Sequence, residues 1–250
     1  MSPIVPTLRL DRLLANMGYG SRKDIQALVK ARRIILDGIA VAEADMHVPV
    51  SPGLSRRMRI AGTPLDPPPG FVLVLHKPLG VTCSHKEAGP LVYDLLPPRW
   101  RLRKPAISTI GRLDKETSGL LLLTDDGALL HRVIAPKSEV TKRYRVTLAR
   151  ALRGDEATIL ALGTLMLDSE DKPLLPVALE VVAGAPGPHP VVNVTLTEGR
   201  YHQVRRMFAA LGNHVTALHR DRAGGLDLPA DLAPGHYRIL CPQEAAAIFA

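Results

Sequence analysis

The stretch GRLDKETSGLLLLTDDG, residues 111–127, sets a compact polar loop directly before an unbroken apolar run. Gly111-Arg112-Leu113-Asp114 reads as loop, Leu120 to Leu123 as a buried strand, and Asp125-Asp126-Gly127 as a turn. A carboxylate fixed in such a loop is held rigidly and partly desolvated, which suits a nucleophile or an acid/base group. An Asp beside Thr117 and Ser118 is also a common loop cap. Working outward, Phe71 to Leu75 reads as a buried strand, and Tyr144 to Leu148 and Val192 to Leu196 alternate as strands do. Helical spacing runs from about Asp126 to Ile134, ahead of Pro136. It recurs from about His202 to Leu211, where Val204, Met207, Phe208 and Leu211 share a face and Gly212 is the stop. Strands and helices intermingle without a βαβ rhythm. The predicted class is therefore α+β, built on a mixed, largely antiparallel sheet with flanking helices.

Upstream, GTPLDPPPG at residues 62–70 favours an extended, semi-rigid linker. It divides the chain into an N-terminal domain, residues 1–61, and a larger domain, residues 71–250. Leu10, Leu13, Leu14 and Met17 follow helical spacing, with Gly18 as the stop. Ser21 is the N-cap of a second helix, with Asp24 at the capping-box position and Ile25, Leu28 and Val29 as its apolar stripe. Asp37-Gly38, between two β-prone runs, marks a hairpin. Lys and Arg number 32 against 24 Asp and Glu, a net charge of +8. Residues 1–61 alone hold ten basic and five acidic side chains. Arg22, Lys23, Lys30, Arg32 and Arg33 lie off the apolar stripe, so they can share one exposed face. Such a face suits phosphate contacts, and equally a solvated surface. Arg99, Arg101, Arg103 and Lys104 surround Trp100 with no acid near them in sequence, which fits an RNA groove or a solvated loop.

Cys83 and Cys241 lie in no metal-ligand spacing, and the nine histidines form no ligand cluster, so no metal is expected. So little cysteine suits a reducing cytoplasm. The start, MSPIVPTLRLDRLL, has no secretory pattern, and the apolar runs are too short to span a bilayer. No membrane association is expected.

RLDRLL, SRKDIQALVKARRI and the Asp-Gly hairpin together resemble the S4 RNA-binding module, over most of residues 8–55. Residues 111–127 resemble the signature of the RsuA/RluB branch of pseudouridine synthases. Two further segments resemble that family's later motifs in the expected order: Lys142-Arg143-Tyr144 the second, and EGRYHQVRRMFAALGNHVTALHRDRAGGL, residues 198–226, the third. The resemblance covers nearly the whole chain. It implies isomerisation of a uridine in RNA: the base leaves C1′, rotates and rejoins through C5. That reaction needs no cofactor. It implies Asp114 as the ionised carboxylate, adding to the base or abstracting a sugar proton. It implies Arg205 as its cationic partner and Tyr144 as the ring against the uracil. Arg112 would displace the base from its stack. Arg22, Lys23 and Arg32 would bind RNA, and Tyr201, His202 and Gln203 would shape the pocket. His219 and Arg220 are read as structural.

Residues 163–182 and 231–240 resemble the small-subunit (16S) type more than the 23S types. The expected substrate is then 16S ribosomal RNA or a partly assembled small subunit, and the expected enzyme a monomer. A 23S synthase is the nearest alternative. A non-catalytic ribosome-assembly factor and an aspartate-dependent hydrolase are alternatives from other classes.

Overall fold

The computed structural model describes residues 5–135, 137–182 and 189–250. Residues 1–4 of the expected N-terminal domain, and Pro136 and residues 183–188 of the larger one, lie outside the described residues. The described chain forms two compact units. One is the chain up to Val72 with residues 93–108 and 123–129; the other is residues 73–92, 109–122 and the described part of 130–250.

The first unit contains β1 (Thr7–Arg9), α1 (Leu10–Asn16), α2 (Arg22–Lys30), β2 (Ile34–Leu36), β3 (Ile39–Ala40), β4 (His47–Pro49), α3 (Leu54–Arg57), β5 (Met58–Ile60) and β6 (Thr63–Pro64). Leu10, Leu13, Leu14 and Met17 are fully buried, as their spacing requires. The Ser21 side chain accepts from the Asp24 N–H, and the Asp24 carboxylate accepts from the Ser21 N–H, which closes the capping box of α2. Asp37 and Gly38 both adopt positive φ, the conformation of a two-residue hairpin turn, and join β2 to β3 in a sheet of order β3-β2-β5-β6.

Residues 62–70, the expected linker, are tied down along their length. β6 pairs with β5, Leu65 is buried, the Asp66 carboxylate accepts from Arg99 Nε at 2.8 Å, and the Gly70 N–H donates to Asp125 Oδ1. The basic run at 99–104 also finds acids that are distant in sequence: Arg99 pairs with Asp66, Arg101 with Asp94, and Arg103 with Asp125. The last pair is 2.9 Å long with both side chains 1% exposed, under the rings of Phe71 and Trp100. Such long-range contacts gather residues 93–108 and 123–129 into the first unit, where the sequence places them with the second.

The second unit is built on β7 (Val72–Lys77), β8 (Ser108–Ile110), β9 (Thr117–Thr124), α4 (Gly127–Ile134), β10 (Lys142–Leu148), α5 (Glu156–Ala161), β11 (Ala178–Val181), β12 (Val191–Leu196), α6 (Gln203–Ala210), β13 (Val215–Ala223), β14 (Leu226–Asp227), β15 (Tyr237–Ile239) and α7 (Pro242–Ala247). Among the described residues the sheet has nine strands, with the path β11-β12-β10-β13-β9-β7-β15; β14 pairs with β13 and β8 with β9. The β13/β9 pair is parallel, while β11/β12, β12/β10, β10/β13 and β7/β15 are antiparallel. The mixed, largely antiparallel α+β fold is thus the one expected. Its core packs Leu160 of α5 and Val204, Met207 and Phe208 of α6 on Val146, Val192, Val194 and Leu218 of the sheet. Among the described residues no helix is long and apolar enough to cross a membrane.

Candidate active site

The second unit holds a cleft of about 760 Å³ whose walls come from the β8–β9 loop, β10, β13 and the residues that open α6. Asp114, Tyr144, Arg112, Tyr201, His202 and Gln203 all line it, as do Lys142 and Arg220. The chain thus brings together side chains up to about a hundred residues apart, because β13 lies between β10 and β9.

Asp114 sits in the loop between β8 and β9, with its side chain 30% exposed. The loop is fastened from beneath. Lys77, at the end of β7, is fully buried, and its Nζ donates to the carbonyls of Pro78, Lys115 and Thr117 at 3.0, 3.4 and 2.8 Å. Burial pushes the Lys77 amine below its ordinary pKa, while the nearby Cys83, Asp114 and Glu116 pull it back up. The Thr117 N–H donates to the Asp114 carbonyl, and the Gly80 N–H to that of Lys115. Arg205, on α6, donates from Nη2 to the Glu116 carbonyl and from Nη1 to the Val215 carbonyl, each at 3.0 Å. Its guanidinium therefore ties the Asp114 loop to β13 through backbone oxygens. Among the described residues the ionisable partner of the Asp114 carboxylate is His202, whose Nε2 lies 3.4 Å from Oδ1.

The buried guanidinium in the cleft wall is that of Arg220, a residue read from sequence as structural. It is 5% exposed, donates from Nε to the Leu120 carbonyl at 2.8 Å and from Nη1 to the Tyr144 hydroxyl at 3.5 Å, and lies 5.9 Å from the Tyr144 ring centre. Tyr144 and Arg220 stand opposite each other in the β10/β13 register. The parallel β9/β13 pair places Gly119 beside Arg220, where a Cβ would stand 2.1 Å from the Arg220 carbonyl oxygen. Only glycine permits that approach, and its φ of +111° is also one that glycine alone adopts with ease. The alternation Leu218, Arg220 along a strand was the signal for Arg220, but the polar run HRDR hides the strand.

Lys142 is half-buried at the cleft, with Nζ on the Thr197 carbonyl; burial pushes its pKa down and the Arg220 charge adds to this. Arg112 is exposed, with Nη2 3.5 Å from Glu87 Oε1. Gln203 is buried: its amide donates to Glu198 and its carbonyl accepts from the Arg200 N–H. It shapes the wall by holding this turn. Arg22, Lys23 and Arg32 belong to the first unit and are all exposed.

A rigid carboxylate, a half-buried tyrosine and a buried guanidinium around a cationic cleft can hold a neutral planar ring on a phosphate-bearing strand and attack it. Residues 71–210 match the family described as RNA pseudouridylate synthase. The chain is 37% identical over 238 residues to the uncharacterized RNA pseudouridine synthase YtzG of Bacillus subtilis, covering 95% of this chain and 96% of that one. It is 38% identical over 245 residues to ribosomal small subunit pseudouridine synthase A of Escherichia coli, covering 96% and 100%. A crystal structure of a pseudouridylate synthase superposes with a TM-score of 0.66 at 34% identity, over 96% of this chain and 99% of that one. The chain belongs to the RNA pseudouridine synthase family.

Proposed function

We propose that this enzyme isomerises one uridine of small-subunit ribosomal RNA to pseudouridine. It acts as a monomer in the cytoplasm on 16S RNA or a partly assembled small subunit. The observation that carries the reading is Asp114, fastened by Lys77 and Arg205 at the mouth of a cleft that also holds Tyr144 and Arg220. The end-to-end similarity to a small-subunit synthase supports the choice of transcript.

In this reading the target base leaves its stack and enters the cleft against Tyr144, because a base inside a duplex is out of reach of a side chain. Arg112, exposed at the rim, takes the place the base vacates. The Asp114 carboxylate is the catalytic group, adding to the base or removing a sugar proton as the bond to C1′ breaks. Arg220 and Lys142 supply positive charge where negative charge develops on the detached ring. Arg205 acts through the loop backbone, holding the carboxylate in place. In the first unit, residues 1–61 bind RNA through phosphate contacts of Arg22, Lys23 and Arg32.

The test is to incubate the purified protein with 16S transcript, 23S transcript and 16S RNA bound to early ribosomal proteins. Pseudouridines are then mapped by carbodiimide labelling and primer extension. A single new stop in 16S RNA is the expected result. A stop in 23S RNA instead would overturn the substrate, and no stop on any RNA would overturn the activity.

A further inference from the structure

Tyr201 is set apart from the other aromatic residues of the chain. It is 76% exposed, while Tyr144 is half-buried and Phe71, Tyr93, Trp100 and Phe208 are buried. Phe249, at 37%, is covered by the Arg132 guanidinium. Tyr201 does not stand loose. Its ring stacks on the His202 imidazole, with centres 3.9 Å apart and planes 15° from parallel. One face is thus covered, and the rest of the ring is left to water at the rim of the cleft.

The stack is built at a conformational cost. His202 has φ +49° and ψ +33°, the left-handed region, and it is the residue that precedes α6. Non-glycine residues rarely adopt that conformation, and those that do concentrate at functional sites. Here it turns the imidazole so that its edge meets Asp114 and its face meets Tyr201. The surrounding rim carries Arg112 and Lys115, exposed, and Lys142, half-buried, with the acids Glu87, 3.5 Å from Arg112, and Glu116 beside them. An exposed aromatic face among cations is the arrangement that binds a single nucleic-acid strand, with charge on the backbone and rings on the bases. The target uracil occupies the Tyr144 side of the cleft in the reading above. The Tyr201 face is therefore available to another base.

We infer that the Tyr201–His202 stack is a nucleobase platform: Tyr201 receives the base of a nucleotide adjacent to the target uridine, and His202 links that platform to Asp114. This rests on the reading of the cleft as a uridine-isomerising site. The platform selects a strand that is opened beyond the target itself, since a neighbouring base still paired in a helix has no free face to offer.

The test uses transcripts of the small-subunit RNA in which 2-aminopurine replaces one or the other neighbour of the mapped uridine. On binding the wild-type enzyme, one of the two reporters is quenched by stacking. Tyr201→Leu keeps size and apolarity but removes the π face. It is expected to abolish the quenching and raise KM about 5- to 150-fold, the range of one lost base–aromatic stack. Tyr201→Phe restores both. Quenching and KM that stay within twofold of wild type in Tyr201→Leu overturn the platform. So does a KM that rises only on ribonucleoprotein particles, since that would make Tyr201 a protein contact. A wild-type enzyme that forms no pseudouridine in any RNA overturns the underlying reading as well, so the two failures are distinguishable.

Discussion

The α1–α2 helix pair and the cleft around Asp114 are held by contacts of different range. In the helix pair, Ser21 and Asp24 cap each other across three residues, and Leu10, Leu13, Leu14 and Met17 share one turn-by-turn face. In the cleft, Lys77 reaches carbonyls at 115 and 117, Arg205 reaches Glu116, and Arg220 reaches Leu120 and Tyr144. A loop fastened by distant elements has few ways to rearrange, so a carboxylate on it keeps its direction while the strand of RNA comes and goes. The helix pair asks only for a stable surface on which charges are displayed.

Four changes probe this difference, in order of expected effect. Gly119→Ala drives a Cβ against the Arg220 backbone and forces the β9/β13 pair apart. We expect a cost above about 4 kcal/mol in denaturant unfolding, among the largest single-residue effects. A loss under about 1 kcal/mol would show that β13 shifts freely, contrary to a rigid cleft. Lys77→Met removes a donor from the Pro78 and Thr117 carbonyls, the latter buried, and leaves the Lys115 carbonyl only its Gly80 N–H. It should cost about 1–3 kcal/mol, and kcat should fall about 10- to 100-fold as Asp114 loses its place. Stability lost with kcat intact would reduce Lys77 to a packing role. Ser21→Ala removes only a cap and should cost about 1 kcal/mol, with kcat unchanged. A fall in kcat there would erase the distinction between the two regions.

The smallest effect is in acid. Glu244, on the C-terminal α7, is held at about 2 by its bond to Arg238 and then by the Cys241 N–H. A carboxyl whose pKa is lower folded than unfolded carries fewer protons in the folded state. Its contribution is therefore full above about 4.5 and is lost as pH falls toward about 2. Asp24, lowered by Ser21, follows the same sign. The Glu244 cap should weaken over that window in wild type, and Glu244→Gln should show a flatter acid limb in thermal melts. An identical limb would place the titration elsewhere.

What could be read ahead of the structure follows the same division. The two N-terminal helices, the Asp37-Gly38 hairpin and the runs that became β10, β12 and α6 were legible because spacing and caps are local. β13 was not. Its residues VTALHRDRA alternate polar groups on both faces, since Arg220 faces the cleft while Asp221 accepts from Arg143 and Arg222 donates to Asp227. A strand whose charges are all satisfied by neighbouring strands has no apolar face to announce it. Lys77, beside Pro78, reads as an ordinary surface lysine, and only the loop folded over it reveals its burial. Asp114 and Tyr144, which line the cleft, were singled out because whole motifs surround them. The cationic partner expected of Arg205 was sought on a helix, while the guanidinium in the cleft wall comes from the next strand.

The most direct test of the central claim is a paired measurement on Asp114→Asn: pseudouridine formation and RNA affinity, on the transcript that the wild-type enzyme modifies. Asparagine keeps the shape of the side chain and removes its charge. Turnover should fall below detection while affinity stays within about twofold, because one carboxylate contributes little to binding a polyanion. Turnover that survives the substitution would contradict the central claim, and so would turnover lost only in step with affinity.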